Sequence, residues 1–269
     1  MMRNTNIVEE VALLASNMYR LGWDERNGGN ISCMVDESDI SDFVNTERVI
    51  RRIPFNCDFG ELAGRLFVVT GTGSYFKNME RDPEKNIGIV RLCENNRELE
   101  LLWGYSDGGR PTSELYAHLM THAVRLKRDE AHRVVIHTHA TNTLAMTYTH
   151  TLDEREFTRT LWRMCTECIV VFPDGVSVLP WMLCGTDEIG RETAKKMQDT
   201  RIVVWAQHGI FGAGRTLDEA FGLIETVEKA AEIYIKTLPA EKIINTITDE
   251  QLKELAKAFG VKVHEGWLQ

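Results

Sequence analysis

The sequence has no apolar run long enough to cross a bilayer. A membrane-spanning helix needs about 18 or more consecutive apolar residues, and no such stretch occurs among the 269 residues. The first residues, Met1 to Asn6, also lack the apolar run of a signal peptide. We therefore expect no membrane association and a cytoplasmic location.

The sequence has no excess of basic residues. Lysine and arginine number 31 against 40 aspartates and glutamates, which gives a formal net charge of −9. Without a concentrated basic stripe, this charge repels nucleic acids and anionic membrane surfaces. We expect neither as a partner, and a phosphate-bearing ligand would have to be held mainly by local amide and hydroxyl groups.

The cysteines do not form the dense framework of a disulfide-rich secreted protein. A reducing compartment keeps such residues as thiols, and most are expected to be small core residues. They are Cys33, Cys57, Cys93, Cys165, Cys168 and Cys184. Cys165 and Cys168 have the spacing of half a thiolate zinc site, but the chain contains no second pair of this kind.

Motifs of several common ligand sites are absent or incomplete. Neither Asn27–Asn30 nor Thr70–Ser74 matches the phosphate loop of nucleotide hydrolases or a full dinucleotide fingerprint, so we expect neither ATP nor NAD. His118 and His122 have the spacing of a helical zinc pair, but Leu119 stands where a zinc protease has its glutamate base. We interpret these two histidines as lying at the surface or supporting other site residues.

Short buried runs alternate along the chain with apolar residues at helical spacing, which predicts a layered α/β domain. Strands are predicted at Ile31–Val35, Leu66–Val69, Arg133–His137, Ile169–Phe172 and Ile202–Ala206. Helices are predicted at Ile7–Leu21, after Pro111, at Asn142–Tyr148, at Asp187–Met197 and at Leu217–Leu238. Because the length is near the upper limit for one hydrophobic core and no linker is visible, one domain over residues 1–269 is expected.

Three histidines are candidate metal ligands. His137 and His139 lie at a strand end, where residues two apart point to the same side. His208 follows another predicted strand, and ligands of open α/β sheets bind at such ends. Three imidazoles with one vacant position are typical of a catalytic zinc site. The pair His137 and His139 alone leaves a second interpretation open, in which both rings bond only to backbone.

Glu114 is the candidate proton-transfer residue, because a metal that polarises a carbonyl still needs a positioned acid or base. We expect it in the first turn of a helix, with Thr112 or Ser113 capping the exposed amides. A glutamate at that position also has a plain structural explanation, since it interacts favourably with the helix dipole.

Two glycine-containing turns, Asn27–Asn30 and Thr70–Ser74, offer bare amides and short polar side chains. Such concave backbone segments bind phosphate without lysine, although each turn alone is more often an ordinary turn.

Five separated motifs together resemble, in content and order, those of the class II aldolase and adducin-head family. They are Asn27-Gly28-Gly29-Asn30, Thr70-Gly71-Thr72-Gly73, Pro111-Thr112-Ser113-Glu114, His137-Thr138-His139 and Gln207-His208-Gly209. The resemblance implies one α/β/α domain with a central, mainly antiparallel or mixed sheet. It also implies one Zn²⁺ per subunit and a homotetramer.

The resemblance further implies roles for single residues. His137, His139 and His208 would hold the metal, and Glu114 would be the acid/base residue. The phosphate- and ketose-binding positions would be Asn27, Gly28, Gly29, Asn30, Gly71, Thr72, Thr112 and Ser113. Glu167 would reach the active site of a neighbouring subunit and act there as a second catalytic residue.

Within the family, three segments are most similar to the branch that cleaves L-rhamnulose 1-phosphate, a ketose 1-phosphate. They are Gly22–Asn30, Cys165–Gly175 and Leu179–Trp181. Other branches remain open: those acting on L-fuculose phosphate, on pentulose phosphates as 4-epimerases or on thioribulose phosphate as dehydratases. A non-catalytic interaction module of the adducin type is a further alternative, which retention of all three histidines and Glu114 disfavours.

Overall fold

The structure, a computed structural model, describes residues 6–55, 59–95 and 97–268. Within these ranges nine strands form one sheet. The strands are β1 (Asn30–Val35), β2 (Arg51–Pro54), β3 (Leu66–Thr70), β4 (Ile87–Leu92), β5 (Glu98–Gly104), β6 (Val134–Thr138), β7 (Ser177–Leu179), β8 (Ile202–Trp205) and β9 (Gly209–Gly214). Their order across the sheet is β2-β5-β4-β3-β1-β6-β9-β8-β7.

Neighbouring strands are antiparallel except for the parallel pair β7 and β8. The mainly antiparallel or mixed sheet expected from the sequence is therefore confirmed. Among the residues that the structure describes, no helix is both long enough and apolar enough to cross a membrane.

Helices cover both faces of the sheet. They are α1 (Ile7–Arg20), α2 (Pro83–Asn86), α3 (Leu115–Arg128), α4 (Thr141–Thr149), α5 (Glu154–Met164), α6 (Cys168–Val171), α7 (Asp187–Lys196), α8 (Leu217–Thr237) and α9 (Asp249–Phe259). Short 3₁₀ helices lie at Glu37–Asp39, Gly60–Leu62 and Phe76–Asn78.

The alternation of side chains along the strands divides the core into two layers. Ile31 and Cys33 of β1 belong to a buried cluster shared with α1, α5 and α8. Met34, which points to the opposite face, belongs to a cluster shared with α3, and α7 packs beside α3 on that face through Ile189. The α/β/α layering is confirmed, whereas one domain over residues 1–269 stays a prediction.

One predicted strand, Ile169–Phe172, is wrong. Most of this segment forms the short helix α6, in which the Glu167 carbonyl accepts hydrogen bonds from the Val170 and Val171 amides at 3.0 and 2.9 Å. The segment packs against the helical layer, where burial of Cys168 and Ile169 outweighs the strand preference of β-branched residues. The edge strand in this region is instead β7.

The expectation of free thiols is confirmed for the described cysteines, whereas the expectation that most of them lie in the core is wrong. Cys33, Cys93, Cys165, Cys168 and Cys184 are free thiols, and two of them are buried. Cys57 lies outside the described residues.

Candidate metal centre and cavity

Three histidine side chains converge where β6, β8 and β9 meet. His137 is in β6, His139 follows that strand directly, and His208 lies in the turn between β8 and β9. One ring nitrogen from each lies within 4.8 Å of the others, so the three nitrogens can share one metal ion. The backbone at Gln207 has a φ of 59°, which turns the chain sharply before His208.

Hydrogen bonds orient two of these rings. The Nδ1 atom of His137 lies 3.2 Å from the Ile210 carbonyl oxygen, to which it donates. The Nδ1 atom of His139 lies 3.0 Å from both Glu25 carboxylate oxygens. Because a neutral imidazole carries one proton, these contacts leave both Nε2 atoms as lone-pair donors.

The Nε2 atom of His137 is buried and has no hydrogen-bond partner among the described residues. A buried polar atom without a partner is unfavourable unless a ligand satisfies it. Burial also lowers the pKa of His137 well below its usual value, and that of His208 to about 4, so both rings are neutral near pH 7. Neutral nitrogen donors fit a divalent metal ion.

Glycine lets the rings approach the backbone closely. A Cβ atom on Gly209 would lie 2.6 Å from Cε1 of His137, and one on Gly28 would lie 2.8 Å from Cε1 of His139. Any larger residue at either position would displace a ring.

Glu114 lies beside the three nitrogens. Its Oε2 atom is 3.5 Å from Nε2 of His137, and its Oε1 atom is 3.8 Å from Nε2 of His208. The Asn30 side chain donates a hydrogen bond from Nδ2 to Glu114 Oε2 at 2.8 Å. Desolvation by burial raises the pKa of Glu114, while the Asn30 hydrogen bond opposes that rise.

The prediction that Glu114 lies in the first helical turn is wrong by one position. Helix α3 begins at Leu115, and Glu114 precedes it with φ −95° and ψ 11°. The hydroxyl oxygen of Thr112 accepts a hydrogen bond from the Glu114 amide at 3.3 Å. Since the carboxylate makes no capping hydrogen bond, it is available to the cavity.

One cavity of about 270 Å³ contains these groups. Every predicted metal- and substrate-binding residue lines it, together with Glu114. The lining residues are Glu25, Arg26, Asn27, Gly28, Gly29, Asn30, Gly71, Thr72, Gly73, Thr112, Ser113, Glu114, His137, His139 and His208.

The expectation of bare backbone amides in the two glycine turns is wrong at four positions. The amides of Gly28, Gly71, Thr72 and Ser74 donate to carbonyl oxygens of other residues at 2.7 to 3.2 Å. Besides these occupied amides, the two turns offer the cavity side-chain hydrogen-bonding groups, such as the Asn27 carboxamide and the Thr72 hydroxyl.

Sequence reasoning missed three residues next to the predicted motifs. Glu25 orients His139, and Arg26 is the only lysine or arginine that lines the cavity as described. Asp24 is buried, which raises its pKa to about 8, and it accepts a hydrogen bond from the Thr138 hydroxyl at 3.0 Å. The sequence indicated their involvement only through their position directly before Asn27, within the segment Gly22–Asn30 that resembles one branch of the family.

Glu167 is not among the residues that line this cavity. It lies exposed at the start of α6, where its Oε2 atom accepts a hydrogen bond from the Cys165 thiol at 2.7 Å. One chain alone thus does not bring Glu167 to the three histidines, and its catalytic role stays a prediction.

His118 and His122 lie on α3 between the helix and the sheet. Their relative exposures are 0% and 1%, so the surface interpretation is wrong. Both rings contact the Ser32 hydroxyl, at 2.7 and 2.8 Å, and His118 also contacts Asn30.

The chain is similar to proteins of known activity over almost its whole length. Residues 9–235 match the class II aldolase and adducin N-terminal domain family. The rhamnulose-1-phosphate aldolase of Listeria monocytogenes is 54% identical over 97% of this chain and 96% of its own. That of Enterococcus faecalis is 54% identical over 97% of this chain and 94% of its own.

Solved structures agree with this relationship. A sugar-phosphate aldolase from Thermotoga maritima has a TM-score of 0.74 and 28% identity, covering 88% of this chain and 96% of that one. An L-fuculose 1-phosphate aldolase with a TM-score of 0.62 is 20% identical over 94% of this chain and 96% of that one, and it shows the shared fold alone. The chain therefore belongs to the class II aldolase and adducin N-terminal domain family.

Proposed function

We propose that this chain is a zinc-dependent lyase that cleaves L-rhamnulose 1-phosphate into dihydroxyacetone phosphate and L-lactaldehyde. The observation that carries the proposal is the arrangement of three convergent imidazoles beside the buried carboxylate of Glu114 in one cavity. The two rhamnulose-1-phosphate aldolases that are 54% identical to this chain support the choice of substrate.

The donor set suits a zinc ion. Class II aldolases are metal-dependent, and His137, His139 and His208 provide three imidazole nitrogen ligands and leave a fourth position for substrate. When bound, a zinc ion supplies a Lewis acid that stabilises the negative charge developing on the substrate oxygens. No lysine that forms a Schiff base is then required.

The cavity walls hold the phosphate end of the substrate. The proposed groups are the side chains of Asn27, Thr72 and Ser113, which donate hydrogen bonds without a strong positive field. A site that positions the substrate in this way lowers the entropic barrier of the bond-breaking step.

Glu114 delivers the proton. When the C3–C4 bond breaks, the C4 hydroxyl group gives its proton to the ionised Glu114 carboxylate and becomes the aldehyde, while the electron pair of the broken bond stays with C3. Glu114 then passes this proton to C3, which gives dihydroxyacetone phosphate. Burial raises the pKa of Glu114, which makes its carboxylate a stronger base for taking up the proton that it later delivers. The Asn30 hydrogen bond fixes one carboxylate oxygen and thereby orients the group.

We also propose a cytoplasmic homotetramer in which Glu167 completes the site of a neighbouring subunit. Glu167 is exposed on one chain. Large apolar side chains are exposed as well, including Tyr148 at 73%, Trp181 at 66% and Leu183 at 62%, and subunit contacts would cover such groups.

Metal analysis combined with a substrate panel tests the proposal. Purified protein is analysed for bound metal, and dihydroxyacetone phosphate release is followed with L-rhamnulose 1-phosphate and L-fuculose 1-phosphate. We expect bound zinc and a higher kcat/KM for the rhamnulose compound. A preference for the fuculose compound would contradict the substrate assignment, and protein that takes up no zinc would support a non-catalytic module.

A further inference from the structure

A chain of buried hydrogen bonds leads from Glu114 into the layer between β1 and α3. Glu114 contacts Asn30, Asn30 contacts His118, and His118 contacts Ser32. The last contact joins the Ser32 hydroxyl to Nε2 of His122. All five side chains are buried, so water does not compete for these contacts.

The direction of each hydrogen bond follows from the chemistry of its partners. An ionised carboxylate only accepts hydrogen bonds, so Asn30 must turn its NH₂ group towards Glu114 and its Oδ1 atom towards His118. His118 must therefore carry its proton on Nε2.

Burial lowers the pKa of both His118 and His122 to about 3, so each ring is neutral and carries a single proton. With that proton on Nε2, the Nδ1 atom of His118 is an acceptor, and the Ser32 hydroxyl donates to it at 2.7 Å. The Ser32 oxygen in turn accepts from Nε2 of His122 at 2.8 Å.

We propose that His118, with Ser32 and His122 behind it, is a positioning residue that locks the Asn30 amide so that its NH₂ group always faces Glu114. Without this lock, the Asn30 amide could rotate and present its oxygen to the carboxylate, which is repulsive while Glu114 is ionised. The Glu114 carbonyl also accepts a hydrogen bond from the His118 amide at 3.2 Å. His118 therefore holds Glu114 directly through its backbone and indirectly, by way of Asn30, through its side chain.

The inference rests on the proposed function, because turnover is one of its measurements. The test compares His118→Leu, which removes the ring donor, with His118→Gln, whose side-chain NH₂ can still donate to Asn30. Thr121→Val is the matched control, because the Thr121 hydroxyl is buried on the same helix without a hydrogen-bond partner among the described residues.

For His118→Leu we expect kcat to fall by about 10- to 100-fold with full zinc content, and KM to change by less than about threefold. His118→Gln should recover most of this loss, Ser32→Ala should lose less than His118→Leu, and Thr121→Val should match the wild type. The proposal is overturned if His118→Leu keeps the kcat of the wild type, or if His118→Gln is no better than His118→Leu at equal zinc content.

A second measurement uses the wild type without substrate, so its result depends neither on turnover nor on how well a variant folds. Nitrogen-15 NMR of the zinc-loaded wild type, with resonances assigned through His118→Gln and His122→Gln, reports which ring nitrogen carries the proton. We expect Nε2–H on both His118 and His122 near pH 7, and a proton on Nδ1 of His118 would overturn the lock. Absence of aldolase activity in the wild type would instead contradict the proposed function alone.

Discussion

Two groups of histidines lie close together in this protein and differ in how their hydrogen-bonding capacity is used. The inner pair, His118 and His122, contacts Ser32 and Asn30 through ring nitrogens. The cavity group consists of His137, His139 and His208, and its nitrogens converge on one point. The cavity group is available to a metal because no hydrogen bond to its Nε2 atoms is formed by any residue that the structure describes.

Protonation does not separate the two groups. Burial lowers the pKa of His118 and His122 to about 3 and that of His208 to about 4. His118, His122 and His208 are thus neutral near pH 7, and among these rings only the neighbouring groups distinguish a candidate ligand from a structural histidine. The helical spacing of the inner pair, which is typical of a zinc pair, is misleading for this reason.

The largest expected effect comes from removing a cavity histidine. His208→Ala should lose bound zinc and essentially all turnover, a loss beyond the range of about 10²–10⁴ expected for an acid or base catalyst alone. His150→Gln is the matched control, because His150 bonds only to Thr151 and Thr160 in the described contacts. Metal analysis and turnover check both variants, and undiminished zinc affinity in His208→Ala would exclude it as a ligand.

The next effect concerns Glu114, which lies between the two groups. Glu114→Gln keeps the shape of the side chain but cannot deliver a proton, so turnover should fall by about 10²–10⁴-fold while zinc content stays unchanged. Glu228→Gln is a control for burial, since Glu228 accepts hydrogen bonds from the Asn142 and Thr143 amides away from the cavity. Glu228→Gln should lose thermal stability but keep the kcat of the wild type. Full turnover in Glu114→Gln would show that Glu114 is not part of the mechanism.

A smaller effect is expected at the carboxylate that orients a cavity ring. Glu25→Gln weakens the acceptor for Nδ1 of His139 and should reduce zinc affinity by about 10- to 100-fold, measured by competition with a chelator. The equivalent contact of His137 is to the Ile210 backbone and cannot be removed in this way. Unchanged zinc affinity would show that the His139 ring is held by packing alone.

The smallest effect is a pH dependence of stability that arises from the inner pair. Below the unfolded pKa of about 6.5, the unfolded chain binds a proton that folded His118, with a pKa of about 3, does not bind. The free energy of unfolding should therefore fall with acid by up to about 1.4 kcal/mol per pH unit for this residue, between the unfolded and the folded pKa.

His118→Gln should remove that contribution and flatten the acid slope. Urea unfolding of chelator-treated wild type and variant, compared at each pH from about 6 to 4, measures the difference directly. Equal slopes in the two proteins would indicate that folded His118 is readily protonated.

Elements with a long periodic pattern could be predicted from sequence. Helices α1 and α8 and strands β3 and β6 lie where the spacing of apolar residues placed them. The run Ile169–Phe172 misled the prediction because β-branched residues favour strands locally, whereas its burial is decided by distant helices.

The site was predictable to a similar extent. Period-two geometry placed His137 and His139 on one side of a strand end, and the position of His208 after another predicted strand made it the third candidate ligand. The hydrogen-bond partners of these rings, such as Glu25 beside His139 and Ser32 between the inner pair, depend on contacts between distant segments. No local sequence pattern predicts those contacts. Nor does a local pattern predict that the Gly71 and Thr72 amides donate hydrogen bonds to carbonyl oxygens of other residues.

Zinc titration into chelator-treated protein tests the central claim most directly, with bound metal and cleavage of L-rhamnulose 1-phosphate measured in the same samples. We predict that activity is absent after chelation and rises in proportion to bound zinc, up to one ion per chain. Full cleavage by protein that contains no metal would contradict the account.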